Sequence, residues 1–389
     1  MTSLNINTLE DIADNLKQSP LFHLSLTSKE LFHSNFLAWL CTIYPEQTAQ
    51  LFAPYLKTQT TELKITEVYR ELFNVDLTLK FSNNKVLIIE NKVKSLPYLS
   101  QLEKIAEAVK DKTKVSFLLL SLTEPGFLES SKSTITLKDD TVWHYANYQT
   151  LANGLINIQV LISHASNYHG QILADYIGFI QSLHLLQEYF RVDYEDENTD
   201  FFAFLNALKP IKNLRMHDFI YKLRYAQLAH AVAIRLGFEV SQGNWVEGKT
   251  EQVFISSGMS NGTGFFDFKY LVNDRESQPA VTSSLGVQFQ GNAFRIVFEY
   301  LDPDNAFKIA EALAGSRLWF DFELVSTASA IYPRKGGFNQ FKGVFLYRSK
   351  NLDKISTKHL VDLIVKYALL AKKNSEQVVT EIKKVTGKI

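Results

Sequence analysis

The sequence predicts an α/β fold for the first half of the chain, a mixed sheet flanked by helices, followed by an α+β C-terminal domain. Three strand-like runs, a helical segment and a further apolar strand-like run follow one another between residues 63 and 121. Beyond residue 200, helical segments alternate with groups of strand-like segments. The acidic and amide-rich stretch DYEDENTD, at 193–200, separates the halves. We therefore predict two domains, 1–192 and 200–389.

Composition indicates a folded protein and limits its partners. Of the 389 residues, 46% are hydrophobic, and 41 Lys and Arg balance 41 Asp and Glu, so the chain has no global basic field, although a local basic groove is allowed. The single cysteine, Cys41, cannot form an internal disulfide and is expected to be a small buried residue in a reducing compartment. No signal peptide and no run of about 20 apolar residues is evident. We expect a cytoplasmic protein that does not enter a membrane.

The predicted elements of the first domain place a compact βαβ unit at its centre. The strand at 85–92, the helix at 98–111 and the strand at 114–121 should form two parallel strands joined by a right-handed crossover. The remaining predicted helices are 8–18, the segment KELFHSNFLAWLCTIY capped by Thr27 or Ser28, 46–56, 147–160 and 168–190, and the remaining strands are 63–70, 73–81 and 141–145.

The second half contains predicted helices and strands in an order typical of α+β domains. Helices are predicted at 199–208, 215–236, 303–314 and 355–386. Strands are predicted at 251–257, 264–272, 285–290 and 293–300, and near 318–325 and 343–349.

The segment KVLIIENK, residues 85–92, ends a buried strand with charged and polar side chains. Because side chains alternate along a strand, Glu90 and Lys92 should share one face, and Asn91 should point to the other. Opposite charges at a buried strand end are costly unless they are paired or bind a ligand. This strand end is therefore the candidate site.

The preceding strand should bring a second carboxylate to the same place. Residues 73–92 predict a hairpin whose turn is centred on Asn83, which sets Leu77 opposite Ile89 and Asp76 opposite Glu90. Opposed residues have Cβ atoms about 4.5–5.5 Å apart. Two carboxylates so close repel unless a cation lies between them, and Mg²⁺ commonly takes one or two carboxylates with waters. A two-residue turn would instead shift the register and remove the site.

This arrangement, Asp76 followed by Glu90 and Lys92, resembles the PD-(D/E)XK nuclease superfamily. The text NVDLTLKFSNNKVLIIENKVKSLPYLSQLEKI and the upstream KELFHSNFLAWL extend the resemblance over about 27–145, with Val75 where a proline would stand. The resemblance implies a restriction-endonuclease-like core, phosphodiester hydrolysis that depends on Mg²⁺ or Mn²⁺, and a setting in defence or DNA processing.

The resemblance also implies roles for individual residues. Asp76 and Glu90 resemble the metal ligands, and Lys92 resembles the catalytic lysine. Gln101 resembles the glutamine that opens the following helix, and Glu30 resembles a helix-borne carboxylate that assists metal binding. The predicted catalytic set is thus Asp76, Glu90, Lys92, Gln101 and Glu30, and the predicted metal ligands are Asp76, Glu90 and the backbone carbonyl of Asn91.

Each of these residues also has an ordinary structural explanation. Glu90 and Lys92 could form a simple salt bridge at a strand end, and Gln101 could be a solvated helix residue. Glu30 could be an acid in a first helical turn, where it favours the helix dipole. Glu71 is a rival for the additional carboxylate, although alternation points it away from the aspartate of the motif.

Two weaker patterns lie in the second half. Asp267, followed by GVQFQG at 286–291, echoes the nuclease pattern with Gln288 and Gln290 where Glu and Lys would stand, but plain antiparallel strands explain it better. The stretch YPRKGGFNQFKGVFLYR, 332–348, is locally basic and aromatic. It would suit either a phosphate backbone or a solvated face.

We therefore predict a metal-dependent endonuclease that hydrolyses phosphodiester bonds, with DNA favoured over RNA, in prokaryotic antiviral defence or DNA processing. The C-terminal domain would bind substrate, sense a signal or form a homodimer, and a defence-system protein is a further candidate partner. The alternative is a nucleic-acid-binding or regulatory module of a defence complex that keeps the nuclease fold and does not cleave.

Overall fold

The chain divides into two compact units that are not continuous in sequence. The computed structural model describes residues 8–26, 29–56, 62–72, 75–93, 95–128, 132–240, 245–247, 251–272, 283–325, 328–331, 337–352 and 354–387. The first unit comprises Met1–Arg191 with Lys209–Phe219, and the second comprises Val192–Leu208 with Ile220–Ile389. The domains proposed from the sequence, 1–192 and 200–389, stay a prediction. None of the helices in the described ranges is long and apolar enough to cross a membrane.

Seven α-helices are described within residues 9–189 of the first unit. They are α1 (Leu9–Gln18), α2 (Pro20–Ser25), α3 (Lys29–Ile43), α4 (Pro45–Phe52), α5 (Leu99–Ala108), α6 (Tyr148–Ala165) and α7 (Asn167–Tyr189). Side-chain caps fix several starts: Thr8 and Asp11 form a capping box at α1, and Asn147 accepts from the Thr150 N–H at α6. A short 3₁₀ helix, Ala53–Tyr55, follows α4.

The described strands of the first unit form one mixed sheet. They are β1 (Ile65–Leu72), β2 (Val75–Phe81), β3 (Val86–Lys92), β4 (Val115–Ser121), β5 (Thr134–Thr136) and β6 (Val142–Asn147), in the order β1-β2-β3-β4-β6-β5. The β3–β4 and β4–β6 pairs are parallel, and the other pairs are antiparallel. The predicted βαβ unit is therefore confirmed, with α5 as its crossover. The three-residue strand β5, which is too short to show periodicity, was not predicted.

Helices cover both faces of this sheet. Leu102 and Ile105 of α5 pack with Ile88, Phe117 and Leu119 on one face. On the other face lies Asn91, which bonds to side chains of α3 and α6. Trp143 is fully buried in the sheet core, and Cys41 is buried, as predicted. The predicted α/β architecture, a mixed sheet flanked by helices, is confirmed.

The second unit is built on an antiparallel sheet of strands β7 to β14. The strands are β7 (Val246–Glu247), β8 (Gln252–Ser260), β9 (Thr263–Val272), β10 (Ser283–Gln290), β11 (Ala293–Tyr300), β12 (Ala328–Ile331), β13 (Asn339–Phe341) and β14 (Phe345–Leu352). Their order is β12-β14-β11-β10-β9-β8-β7, with β13 also paired to β14. The helices are α8 (Phe204–Ala207), α9 (His217–Leu236), whose first residues group with the first unit, α10 (Pro303–Gly315) and α11 (Thr357–Thr386), with a 3₁₀ helix at Phe201–Ala203. A further 3₁₀ helix, Lys212–Leu214, belongs to the first unit.

One predicted strand, near 318–325, is wrong. Residues 318–325 form bends and turns, and Arg317 and Phe320 have φ angles of 56° and 72°, which interrupt extended backbone. The apolar residues of this segment pack in the hydrophobic core instead. Trp319 is buried and its indole N–H donates to the Val297 carbonyl at 2.8 Å. Apolar content alone could not distinguish this packed turn from a strand.

Three polar side chains lie directly opposite one another on neighbouring strands of this sheet. Asp267 of β9 lies opposite Gln288 of β10, which lies opposite Arg295 of β11. The echo of the nuclease pattern is thus confirmed to be plain antiparallel strands. Asp267 is buried, and this burial raises the pKa of its carboxyl to about 6, even though the Lys269 ammonium lies 3.7 Å away. Lys269 pairs more closely with Glu299, at 2.8 Å.

We expect Asp267→Asn to stabilise the second unit at neutral and alkaline pH. Because the pKa is raised in the folded state, from 3.8 to about 6, the native chain binds the proton more tightly, and stability falls as pH rises through this window. The cost of keeping the carboxylate buried is on the order of 2–3 kcal/mol above pH 6 and vanishes below about pH 4. Urea unfolding at pH 4 and pH 8 measures the difference. The matched control is Glu323→Gln, an exposed carboxylate in the same unit, which should change little; equal behaviour of both variants would contradict the prediction.

Candidate active site

The end of β3 keeps charged side chains inside the protein. Leu87 and Ile89 are completely buried, and the strand then continues with Glu90, Asn91 and Lys92, which are only 2%, 1% and 8% exposed. Polar side chains so deeply buried must be hydrogen-bonded or paired. Their partners therefore define what this strand end can do.

The β2–β3 hairpin has the predicted register. Leu77 lies opposite Ile89 and Leu79 opposite Leu87. The loop is Ser82–Asn84, and Asn84 adopts a φ of 61°, a left-handed conformation that Asn tolerates and that such loops require at their last residue.

Asp76 contacts β3 through its side chain, just beyond the last paired residues of the hairpin. The paired positions end with Leu77 opposite Ile89. One residue further on, the carboxylate of Asp76 accepts a hydrogen bond of 2.8 Å from the backbone N–H of Asn91. The carboxylate thus takes a backbone donor at the point where the ladder stops, and it is fixed to the strand that carries Glu90.

Glu90, Lys92 and Gln101 form one buried cluster. The Lys92 Nζ lies 2.6 Å from Oε1 of Glu90, and the Gln101 side-chain amide donates to the same oxygen at 2.6 Å. The side chains of Lys92 and Glu90 are only 10% and 2% exposed. Gln101 comes from the first turn of α5, so the crossover helix reaches back to the strand that precedes it. The predicted shared face of Glu90 and Lys92 is confirmed.

The other candidate carboxylates are not brought into this cluster by any described contact. Glu30 belongs to α3, but its side chain lies outside the described residues, and its role stays a prediction. Glu71 is exposed and has a φ of 53° near the end of β1. The described geometry thus gives Glu71 no part in the site.

Asn91 points to the opposite face, as alternation predicts, and there it is tightly held. Its Oδ1 accepts from the Tyr148 hydroxyl at 2.7 Å, and its Nδ2 donates to the Ser34 hydroxyl at 3.2 Å. Sequence reasoning missed both partners, which lie 57 positions away on either side of Asn91. The only available signal was the buried amide itself, which requires partners on the helices behind the sheet.

The donor set suits a hard divalent cation. Among the described residues, no group of three or more His, Cys, Asp and Glu side chains could hold a metal ion. The strand end instead offers two carboxylates, Asp76 and Glu90, and the carbonyl of Asn91. Mg²⁺ commonly binds through one or two carboxylates and keeps several waters, so these oxygens fit it. Transition metals that prefer thiolate or imidazole ligands do not match this set.

Comparison with known protein families finds a similarity over part of the chain. A family model described as PD-(D/E)XK nuclease superfamily matches residues 21–178. This segment contains α3, the β2–β3 hairpin, α5 and the whole cluster at the end of β3, and it confirms the resemblance predicted from the sequence. No curated protein and no solved structure gives a match to the chain. The matched segment lies within the first unit and covers less than half of the chain, and the match does not extend into the second unit.

We expect the Glu90–Lys92 pair to behave as a buried ion pair in a double-mutant cycle. Glu90→Gln and Lys92→Met should each lower the free energy of unfolding by about 3 kcal/mol, because each leaves one buried charge without its counterion. The double variant should lose less than the sum of the two. Urea unfolding provides the three differences.

A surface pair that joins the neighbouring strands β1 and β2 supplies the control. Lys80 and Glu67 lie 2.9 Å apart but are nearly half exposed, so Lys80→Met and Glu67→Gln should show little coupling. Additive effects at Glu90 and Lys92 would show that the two charges do not depend on each other.

Proposed function

We propose that the protein is a metal-dependent nuclease that hydrolyses phosphodiester bonds. The observation that carries the proposal is the buried cluster of Glu90, Lys92 and Gln101, with Asp76 fixed beside it, inside the segment that matches a nuclease superfamily. Hydrolysis joins the oxygen of water to phosphorus, breaks the bond from phosphorus to the leaving oxygen, and transfers a proton to that oxygen.

The proposal gives each side chain a distinct task. Lys92 supplies a fixed positive charge, which can orient the attacking water and offset negative charge on the phosphoryl group. Gln101 donates to the same Glu90 oxygen as Lys92, so it holds that carboxylate in one orientation when the ammonium moves toward substrate. Burial excludes water around these groups and strengthens their electrostatic effects.

Asp76 and Glu90, with the Asn91 carbonyl, would hold Mg²⁺ or Mn²⁺. When bound, the ion would supply Lewis-acid stabilisation of the charge that develops on the phosphate. Without it, two carboxylates at one strand end would repel a polyanionic substrate. The donor set therefore supports a divalent cation as part of the functional site.

The setting that we propose follows from the superfamily and the composition. DNA is favoured over RNA as substrate, and prokaryotic antiviral defence or DNA processing is favoured as the role, in the cytoplasm. The second unit would bind substrate, sense a signal or form a homodimer. The zero net charge favours one rival, a module that binds nucleic acid or a defence partner without cleaving.

A nuclease assay tests the proposal. We expect purified protein to cut at least one of plasmid, linear duplex, single-stranded DNA and RNA in Mg²⁺ or Mn²⁺, and not in EDTA. The Glu90→Ala/Lys92→Ala variant should lose at least about a hundredfold in rate. The Glu67→Ala/Lys80→Ala variant removes an exposed pair that joins β1 and β2 in the same sheet, and it should cut normally. Cleavage that survives in the first variant would refute the assigned site.

Metal-induced stabilisation separates the nuclease from the non-cleaving module. At an Mn²⁺ concentration about one hundred times the dissociation constant, the free energy of unfolding should rise by about 2.7 kcal/mol. Asp76→Ala should abolish this increase, while the Glu67→Ala control should keep it. An unshifted melting temperature in the wild type would count against a metal-dependent enzyme and favour the rival.

A further inference from the structure

We propose that Asn91 is a positioning residue, whose side chain is anchored behind the sheet so that its backbone N–H holds Asp76 in the site. The inference rests on the proposed function and adds to it the side chains of Asn91, Tyr148 and Ser34. In the described contacts, none of these side chains touches the Glu90–Lys92 pair. They meet on the other face of the sheet, so the Asn91 side chain acts on the site through its own backbone.

The anchor begins with an amide that is held on both its oxygen and its nitrogen. Tyr148 donates to Oδ1 and Ser34 accepts from Nδ2, and all three residues are at most 1% exposed. An amide is the group that accepts on one side and donates on the other without carrying charge. Aspartate at position 91 would replace the donating NH₂ group by a second acceptor and would bury a negative charge. Leucine would remove the hydrogen-bond partner of both the Tyr148 and the Ser34 hydroxyl. The geometry thus selects asparagine at position 91.

The same residue reaches the site through its backbone. The Asn91 N–H donates to the Asp76 carboxylate at 2.8 Å, on the edge of β3 that faces β2. The pairing of β3 with β2 ends at Leu77 and Ile89, whereas β4 still pairs with β3 as far as Lys92. On the β2 side of Asn91, the described contact is therefore the Asp76 carboxylate, and the side-chain anchor fixes the peptide that donates to it. Asn91 therefore connects a buried amide on one side of the sheet to a carboxylate that we assign to metal binding.

The anchor also ties helices to the strand end. Tyr148 is the first residue of α6, and Ser34 lies in α3, one helical turn after Glu30. Both helices thus form a side-chain hydrogen bond with the same amide.

Tyr148→Phe tests the inference, with Tyr176→Phe as its matched control. Each removes a single buried hydroxyl in the first unit; the Tyr176 hydroxyl contacts Nδ1 of His33 at 3.1 Å and makes no described contact with Asn91. Tyr148→Phe should increase hydrogen exchange at the Asn91 N–H by about fivefold, the effect expected for one ordinary hydrogen bond. It should also raise by a similar factor the Mn²⁺ concentration that gives half-maximal nuclease activity. Tyr176→Phe should change neither quantity, at a similar loss of thermal stability.

The outcomes are distinct. Unchanged Asn91 exchange in Tyr148→Phe would overturn the anchor, whether or not the protein is a nuclease. Equal changes of exchange and Mn²⁺ dependence in the two variants would show that Tyr148 acts only through general packing, and they would overturn the inference as well. If Asn91 exchange responds but the wild type neither binds Mn²⁺ nor cuts, the proposed function fails and the link from the anchor to metal binding is overturned. A selective response of both quantities would support the inference.

Discussion

The candidate site depends on the register of one hairpin. Leu77 against Ile89 and Leu79 against Leu87 place the apolar side chains in the core, and the three-residue loop leaves no freedom to slide. A slip by one position would turn every side chain of β3 to the other face. Glu90 would then lie among the helices behind the sheet, and Asn91 would lie beside Gln101. The hydrophobic pairs therefore determine where the charges are, and the charges contribute little to that choice.

Charge burial alone does not mark a functional site in this protein. The second unit also buries a carboxylate, Asp267, which lies 3.7 Å from Lys269, while Lys269 pairs more closely with Glu299. The difference lies in position. The first cluster is at the end of the central strand β3, where pairing with β2 has ended and the chain continues to the crossover helix α5, whereas the second lies inside a continuous antiparallel ladder.

Sequence predicted what depends on local periodicity and missed what depends on distant packing. Alternation along 85–92 was enough to place Glu90 with Lys92 and to separate Asn91 from them, and turn residues were enough for the register. Tyr148 and Ser34 could not be found in this way, because no local pattern relates them to Asn91. The prediction of a strand near 318–325 was wrong for a related reason. Trp319 is an apolar residue that packs in the core from a turn, and it does not belong to a strand of the sheet. The C-terminal sheet was predicted strand by strand, except for the short β7, β12 and β13.

The way the chain passes between its units limits how the protein can be dissected. Residues 209–219 group with the first unit although they follow 192–208, which group with the second. This returning segment contributes Ile211, Leu214 and Met216, all buried. A fragment that ends at residue 192 would lose these apolar side chains and expose the surface that they cover. The chain therefore has no single peptide bond whose cleavage would release both units intact.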